Sequence, residues 1–285
     1  MLDRETEVVT FLRRFGFRHF DSERQKEAAL ARLPKPLQAE ITRKWNPMRN
    51  QPGSARDYQD LANVLARPDA FSVEMSAYSD LSASILLTVI EVLPNGARLL
   101  ELGCATGYLS LWIAKNRPES VVVGVDAARR AVARAREHAR LLAINNASFA
   151  VAEESVTASF PECEILVECQ TLQYLPTEGM VSAILRSARG LVSVPHLMDA
   201  DEVEQHCRRV EAHGLSLTDA RVAFSSDCGR GTFRPILVFS RDTSEKSRPD
   251  VQLLVAKARR RGESAVIHPL SAWSDVHERR PASAD

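Results

Sequence analysis

From residue 97 onwards, short apolar runs rich in β-branched residues alternate with segments of helical periodicity. The candidate strands are RLLEL, SVVVGVD, SFAVA, EILVE and GLVSVP, separated by helical segments such as YLSLWIAKN and AARRAVARAREHARLLAI. Apolar strands that alternate with helices indicate a parallel sheet covered on both faces. Two later runs, LSLTDARVAF and FRPILVFSR, are joined only by SSDCGRG, which favours an antiparallel pair at the end of the sheet. We therefore predict an α/β fold with a mostly parallel, seven-stranded sheet and an antiparallel last strand.

The region before residue 80 predicts helices instead of strands. An apolar stripe with helical spacing opens the chain and consists of Val8, Phe11, Leu12 and Phe15. SERQ at 22–25 and SARD at 54–57 are typical of capping boxes that begin helices. Between them, KWNPMRNQPGS is rich in Pro, Asn and Gly and predicts a loop.

Three regions follow from this change of pattern along the chain. Residues 1–79 are expected to form a helical cap or lid, and residues 80–242 an α/β core that opens with a strongly apolar helix. Residues 243–285 are expected to be a tail that is partly disordered or forms one helix over VQLLVAKARRRG.

The overall composition excludes several classes of protein. Basic and acidic residues balance at 37 each, so there is no global electrostatic attraction to nucleic acid or membrane. Five cysteines without a C-x-x-C pair argue against a disulfide framework or a metal site and favour a reducing compartment. The charged N-terminus is unlike a signal peptide, and the apolar run LSASILLTVIEVL is too short to span a bilayer. We expect a cytoplasmic protein, and the sequence gives no oligomeric state.

The first predicted strand passes into a helix through a turn that contains Gly103 and Gly107. Glycine lets a backbone adopt positive φ and approach a ligand, and the following helix offers free N–H groups. Dinucleotides and S-adenosylmethionine both bind at such a turn. The dinucleotide fingerprint G-x-G-x-x-G would need glycine at Ala105 and a third glycine that is missing. Asp126, at the end of VVVGVD, can accept hydrogen bonds from both ribose hydroxyls, which indicates a nucleoside of either kind.

Several segments in order carry a family resemblance. LLELGCATG, VVVGVD, NNASFAVAEE and EILVECQTLQYLP resemble the class I S-adenosylmethionine-dependent methyltransferases, over roughly residues 80 to 241. The resemblance implies a Rossmann-like sheet, S-adenosylmethionine as the cofactor, and transfer of its methyl group to an acceptor. The late antiparallel pair also matches the sheet of that family.

The resemblance also implies roles for individual residues. Glu101 would help to hold the amino group of the methionine moiety, and Asp126 would bind the ribose hydroxyls with Ala127 beside the adenine. The backbone would pass beneath the cofactor at Gly103, Cys104, Ala105 and Gly107. Glu153 would lie near the adenine amino group, with Glu154 as the neighbouring alternative, because AEES departs from the usual GDA. Glu168 would face the methionine end or the acceptor.

An acceptor that is a hydroxyl or an ammonium would also need a base to remove its proton. His196, after the strand GLVSVP, and Glu168 are the two candidate catalytic residues. His138 is expected to be solvated in the middle of a helix, and His206 and His213 to lie on a helix remote from the active edge. The residues expected to line the acceptor pocket are Tyr78, Gln173 and Tyr174, whereas Trp45 is expected to serve in packing.

Two sequence patterns that are missing from this chain narrow the chemical class of the methyl acceptor. The fourth strand is followed by ECQTLQYL and not by the Asn/Asp-Pro-Pro-Tyr/Phe of amino-methylating nucleic-acid enzymes. No basic tract interleaved with aromatic residues is present to follow a phosphate backbone. A small molecule or peptide, methylated on oxygen, nitrogen or carbon, is therefore expected. The alternatives are a non-catalytic S-adenosylmethionine sensor or scaffold and, disfavoured by the missing glycines, a nicotinamide-dependent oxidoreductase.

Overall fold

One seven-stranded sheet organises the molecule, with strand order β3-β2-β1-β4-β5-β7-β6. The computed structural model describes residues 3–45, 54–152, 163–175, 177–196, 199–227, 232–242 and 247–264, together with Leu270 and Trp273. The strands are β1 (Arg98–Leu102), β2 (Val121–Asp126), β3 (Ala147–Val151), β4 (Ile165–Cys169), β5 (Gly190–Val194), β6 (Ser216–Ser225) and β7 (Thr232–Ser240).

Helices precede the sheet and alternate with its strands. The first six are α1 (Arg4–Arg14), α2 (Glu23–Ala31), α3 (Lys35–Trp45), α4 (Ala55–Leu65), α5 (Pro68–Glu74) and α6 (Ser79–Val92), with a 3₁₀ turn at Met75–Tyr78. The others are α7 (Tyr108–Asn116), α8 (Arg129–Leu141), α9 (Glu178–Ser187), α10 (Ala200–Glu211) and α11 (Val251–Ser264), with a second 3₁₀ turn at Leu172–Tyr174.

The directions of the strands confirm the predicted fold class. Strands β1 to β5 pair in parallel, whereas β7 is antiparallel to both β5 and β6. The register places Ser193 of β5 opposite Leu237 of β7. As a result, the carboxyl ends of β1, β2, β4 and β5 and the beginning of β7 share one edge of the sheet, which we call the active edge. Ligands of open α/β sheets bind at this edge.

Both faces of the sheet are covered by apolar side chains. On one face, Trp112 of α7 packs against α1, with its ring centroid 5.0 Å from that of Phe11, and its indole N–H donates to Leu86 O of α6 at 3.0 Å. The other face buries Leu166 and Leu191 beneath α9, α10 and α11. The N-terminal helix α1 thus belongs to the same core as the sheet, and the domain boundaries that the sequence suggested stay a prediction.

Both predicted helix starts are confirmed, but only the second forms a reciprocal capping box. Ser54 caps α4 by accepting from Asp57 N, while the Asp57 carboxylate accepts from Ser54 N at 2.8 Å. Ser22 caps α2 by accepting from Gln25 N at 3.4 Å. The predicted loop between them is only partly described, because residues 46–53 lie outside the described ranges.

The prediction for His138 is wrong, because this side chain is buried beneath the N-terminal helix. Its Nδ1 atom lies 3.2 Å from Thr106 O, and its ring centroid lies 4.2 Å from that of Phe15. Burial lowers the pKa of His138 below its ordinary value. The polar pattern of α8 hid this contact, because the covering residue comes from α1, more than a hundred positions earlier in the chain.

The beginning of α6 is fastened to the end of β6 by Asp227. The Asp227 carboxylate accepts from Asp80 N at 2.9 Å, from Leu81 N at 2.8 Å and from the Ser79 hydroxyl at 3.2 Å. Asp80 in turn accepts from Ser226 N at 3.1 Å and from Leu270 N at 2.9 Å. These hydrogen bonds satisfy backbone N–H groups that a helix N-terminus leaves unpaired.

The helical run at Pro68–Val92 is longer than the sequence suggested. Its 25 residues are long and apolar enough to cross a membrane by length and composition alone. However, 72% of its most apolar window is buried inside the fold, where α6 packs against β6 and α1. Burial of this kind is expected of a core helix in a globular domain.

Candidate functional site

The turn after β1 has the backbone conformation that its small residues allow. Gly103, Ala105 and Gly107 all have positive φ, at 75°, 45° and 83°. A Cβ atom on Gly103 would lie 2.8 Å from Thr171 Cγ2, and one on Gly107 would lie 2.9 Å from the Phe149 ring. Contacts this short do not occur between real side chains, so both glycines are required by close packing. Gly103 in particular lets the segment after β4 approach the turn.

Asp126 joins the two turns that follow β1 and β2. One carboxylate oxygen accepts from Ala105 N at 2.8 Å, and the other accepts from Ala128 N at 2.7 Å. Burial raises the pKa of this carboxyl above its ordinary value. The next residue, Ala127, is exposed, and its carbonyl accepts from Gln59 of α4 at 2.9 Å. The geometry therefore holds Asp126 at the carboxyl end of β2, where its ribose-binding role stays a prediction.

Glu101, in the middle of this group, is a buried acid whose side chain is held by Ser110. Its carboxylate accepts from the Ser110 hydroxyl, and only 3% of the residue is exposed. Burial raises the pKa of Glu101 to about 7. Among the residues that the structure describes, no basic side chain forms an ion pair with it. A carboxylate in this state is stabilised by any cation that binds beside it.

Glu168, at the end of β4, is committed to contacts within the protein. One carboxylate oxygen accepts from Thr171 N at 2.8 Å and from Leu172 N at 3.2 Å. The other accepts from the Ser193 hydroxyl, which lies 2.9 Å from His206 Nε2. The prediction that His206 is remote from the active edge is therefore wrong, because it reaches Glu168 through a single hydroxyl.

These hydrogen bonds shape the turn that faces Gly103. Gln170 has φ of 61°, a left-handed conformation that costs energy for a residue with a side chain. Glu168 stabilises the strained turn by binding the two N–H groups that follow it, Thr171 N and Leu172 N. The position of Thr171 over the glycine turn follows from this arrangement.

The residues predicted to line the acceptor pocket lie at the same edge but in different environments. The Tyr174 ring stacks on Tyr58 of α4, with ring centroids 3.7 Å apart and planes 28° apart, and Gln173 lies beside the Tyr174 hydroxyl. Tyr78, in the 3₁₀ turn before α6, is 41% exposed. His196 is exposed after β5. Desolvation by the surrounding protein and the charge of Arg234 lower the pKa of His196 to about 4.

Several residues at the candidate site could not be identified from local sequence motifs. Tyr58, Thr171 and Ser193 have no local motif, and their roles arise only from contacts across the fold. Arg234 is different, because an arginine inside the apolar strand FRPILVFSR is itself a signal that could have been found. Glu153 and Glu154 lie outside the described residues, and so does the side chain of Trp45. Within the described ranges, no group of three His, Cys, Asp or Glu residues is placed to hold a metal ion.

The sheet order, the glycine turn after β1 and the acidic residues near the ends of β1 and β2 define a Rossmann-like α/β fold. Residues 93–160 match the family model described as a methyltransferase domain. This match supports the resemblance to the class I S-adenosylmethionine-dependent methyltransferases over these residues.

Known proteins show similarity over part of the chain. A carboxy-S-adenosyl-L-methionine synthase from Actinobacillus succinogenes is 25% identical over 126 residues, which is 44% of this chain and 52% of that protein. A synthase of the same name from Haemophilus ducreyi matches over the same shares, also at 25% identity. The chain thus spans about half the length of the curated relatives it matches.

Solved structures are also similar to this chain, at lower sequence identity. An S-adenosylmethionine-dependent methyltransferase from Aquifex aeolicus is 15% identical, with a TM-score of 0.46, and covers 57% of this chain and 92% of its own. The magnesium protoporphyrin IX methyltransferase from Synechocystis PCC 6803, solved with bound S-adenosylmethionine, is 16% identical, with a TM-score of 0.44. That match covers 85% of this chain and 99% of the other.

Proposed function

We propose that this protein is a methyltransferase that transfers the methyl group of S-adenosylmethionine to a small-molecule or peptide acceptor. The observation that carries this proposal is Glu101, a buried carboxylate beside the glycine turn that lacks a basic partner among the described residues. A buried charge without a counter-charge is costly, so such a group is retained where a ligand completes it.

The residues at the active edge fit this cofactor. The ammonium group of its methionine moiety would pair with the Glu101 carboxylate, and its ribose hydroxyls would bind Asp126 at the end of β2. Its adenine would lie beside Ala127, which is exposed next to the turn. When bound, S-adenosylmethionine supplies a methyl group activated by a positively charged sulfur.

The contribution of the protein to such a reaction is orientation and exclusion of water. Methyl transfer forms a bond from the acceptor atom to the methyl carbon, while the sulfur–carbon bond breaks and its electron pair stays on sulfur. Alignment of the acceptor with that bond can supply several kcal/mol. We assign Glu168 a positioning role, because its carboxylate already holds the turn that carries Thr171 and Leu172.

A proton leaves the acceptor if it is a hydroxyl or an ammonium. We propose that His196 accepts this proton, because it is exposed directly after β5 at the active edge. Tyr78, Gln173 and Tyr174 would form the walls around the acceptor. The compartment that fits is the cytoplasm, since the described cysteines Cys104, Cys163, Cys169 and Cys207 are free thiols, as a reducing environment maintains them.

The first experiment is isothermal titration of the full chain with S-adenosylhomocysteine, with NAD as the comparison. We expect micromolar binding of S-adenosylhomocysteine and none of NAD, and the reverse result would contradict the proposed cofactor. A screen of acceptors with S-adenosylmethionine, which measures release of S-adenosylhomocysteine, then tests catalysis. Binding without turnover of any acceptor would favour the sensor alternative.

A further inference from the structure

Arg234 is a buried cation at the active edge, and the described residues leave it without an acid partner. Only 4% of the residue is exposed. One terminal nitrogen donates to Phe233 O at 2.8 Å and lies 3.4 Å from the Thr232 hydroxyl. Its Nε atom is buried and makes no hydrogen bond. In the part of the chain that the structure describes, no carboxylate pairs with this guanidinium.

This state is unfavourable for the folded protein alone. Burial of an arginine without a counter-charge costs several kcal/mol, and an unpaired buried N–H adds to that cost. The loss of water around Arg234 also lowers its pKa from the ordinary value. A group of this kind is a candidate for ligand binding, because an anion would satisfy both the charge and the free Nε–H.

The residues around Arg234 are ones predicted to contact the acceptor and not the cofactor. Continued by three residues, the antiparallel pairing of Ser193 with Leu237 brings His196 level with Arg234. The positive charge of Arg234 also influences the pKa values of Cys169, Tyr174 and His196. Arg234 therefore lies near the candidate base His196 and near Tyr78 and Tyr174, two of the residues predicted to line the acceptor pocket.

The cofactor end of the site lies on the other side of β4 and β5. Strands are spaced by about 4.8 Å, so β7 lies about 14 Å from β1, which carries Glu101. Asp126 contributes to the pKa shift of Glu101, whereas Arg234 is not among the causes of that shift. The amino and carboxyl groups of one methionine moiety share a single carbon, so a cofactor whose ammonium group pairs with Glu101 keeps its carboxylate beside β1. In this arrangement the anion for Arg234 would come from a second ligand.

We propose that Arg234 binds a carboxylate of the methyl acceptor, which makes the substrate an organic acid held with its body against Tyr78 and Tyr174. This inference rests on the proposed methyltransferase function and adds the chemical class of the acceptor. The guanidinium would bind the carboxylate through its free Nε–H, and the anchored acceptor would then place its reacting atom over β4, towards the cofactor.

The test uses the full chain saturated with S-adenosylhomocysteine and two pairs of probes: benzoate with benzamide, and phenylacetate with phenylacetamide. Calorimetry should show binding of at least one acid and a loss of about tenfold or more for its neutral amide. Arg234→Gln should weaken binding of that acid about tenfold or more. The control Arg208→Gln, an exposed arginine on α10, should leave it unchanged. Acids that bind no better than their amides, or that bind Arg234→Gln normally, would overturn the proposal.

A second variant separates ligand binding from a structural role. Arg234→Met keeps the length of the side chain and removes the unpaired charge, so we expect a melting temperature equal to or above that of the wild type. A fall of more than about 5 °C would show that Arg234 stabilises the fold by itself, and it would overturn the proposal.

The affinity for S-adenosylhomocysteine shows whether the carboxylate that binds Arg234 belongs to the acceptor or to the cofactor. We expect Arg234→Gln to change the Kd for S-adenosylhomocysteine by less than about twofold. A loss of tenfold or more would assign Arg234 to the carboxylate of the cofactor, which overturns this inference and leaves the methyltransferase function in place. Wild-type protein that binds no S-adenosylhomocysteine at all would contradict the proposed function instead.

Discussion

The two ends of the active edge carry opposite buried charges, and they are built in opposite ways. At the β1 end, Glu101 and the glycine turn come from neighbouring positions, and Asp126 follows within a single strand–helix–strand unit. At the β7 end, Arg234 lies near side chains from the 3₁₀ turn before α6, from β4 and from the segment after β5, which are scattered along the chain. The proposed cofactor half is therefore a local structure, whereas the proposed acceptor half forms only when distant elements come together. A site of this kind can keep its cofactor chemistry while its acceptor changes.

The largest effect is expected at the cofactor half from Asp126→Ala. The variant loses a carboxylate that would bind the ribose, and charge-assisted hydrogen bonds contribute about 1.5 to 3 kcal/mol each. We expect the affinity for S-adenosylhomocysteine to fall at least about 100-fold by calorimetry. Asp126→Asn is the matched control, because its amide oxygen can still accept one hydrogen bond, and it should fall in between. If Asp126→Ala binds S-adenosylhomocysteine with normal affinity, the nucleoside does not bind at this end of the site.

The contact between the two halves is tested next by Gly103→Ala. The new Cβ would meet Thr171 at 2.8 Å from Cγ2, and the backbone would keep a positive φ of 75°. We expect the free energy of unfolding to fall by about 2 to 3 kcal/mol in urea denaturation.

Gly96→Ala provides the matched control for that substitution. Gly96 has nearly the same φ, at 77°, but nothing lies within 4 Å of its Cβ position. Gly96→Ala should lower the free energy of unfolding by only about 1 kcal/mol, because only the backbone conformation is unfavourable for alanine. Thr171→Ala, combined with Gly103→Ala, should recover part of the loss. Equal costs for the two glycine variants would show that Thr171 does not press on the turn.

The pH dependence of binding gives a smaller effect that belongs to Glu101 alone. Its pKa is about 7 in the free protein because it is buried, and a bound ammonium group would lower that pKa by stabilising the carboxylate. Binding therefore releases a proton, and affinity for S-adenosylhomocysteine should rise about tenfold from pH 6 to pH 8. Calorimetry in two buffers of different ionisation enthalpy measures the proton, and Glu101→Gln should abolish its release. Uptake of a proton on binding would contradict this role.

The smallest effect concerns the stacked rings of Tyr58 and Tyr174. Such a stack contributes about 0.5 to 1.5 kcal/mol, so Tyr58→Ala should weaken benzoate binding by a few-fold at saturating S-adenosylhomocysteine. Tyr58→Phe keeps the ring and loses only the hydrogen bond to Tyr174, so it should weaken binding less than Tyr58→Ala. Tyr58→Ala could instead weaken the binding of S-adenosylhomocysteine more than that of benzoate. That result would assign α4 to the cofactor half of the site and would contradict its assignment to the acceptor half.

The same division explains how much could be predicted from the sequence. Glu101, Gly103 and Asp126 were found because local patterns place them at strand ends, and parallel strands bring those ends to one edge. His206 was misjudged because its contact with Ser193 depends on how α10 packs beneath β5. Tyr58 could not be found, since its partner lies more than a hundred positions away and stacking leaves no sequence pattern. Tertiary contacts of this kind need the fold first.

The fastening of α6 by Asp227 has a consequence for the order in which the protein matures on the ribosome. The hydrogen bonds span 146 to 148 positions, so the start of α6 stays uncapped until β6 has been synthesised. Contacts of such high sequence separation form late in folding. We therefore expect the turn that bears Tyr78, directly before α6, to become fixed only after β6 has been made, and later than the turns that carry Gly103 and Asp126.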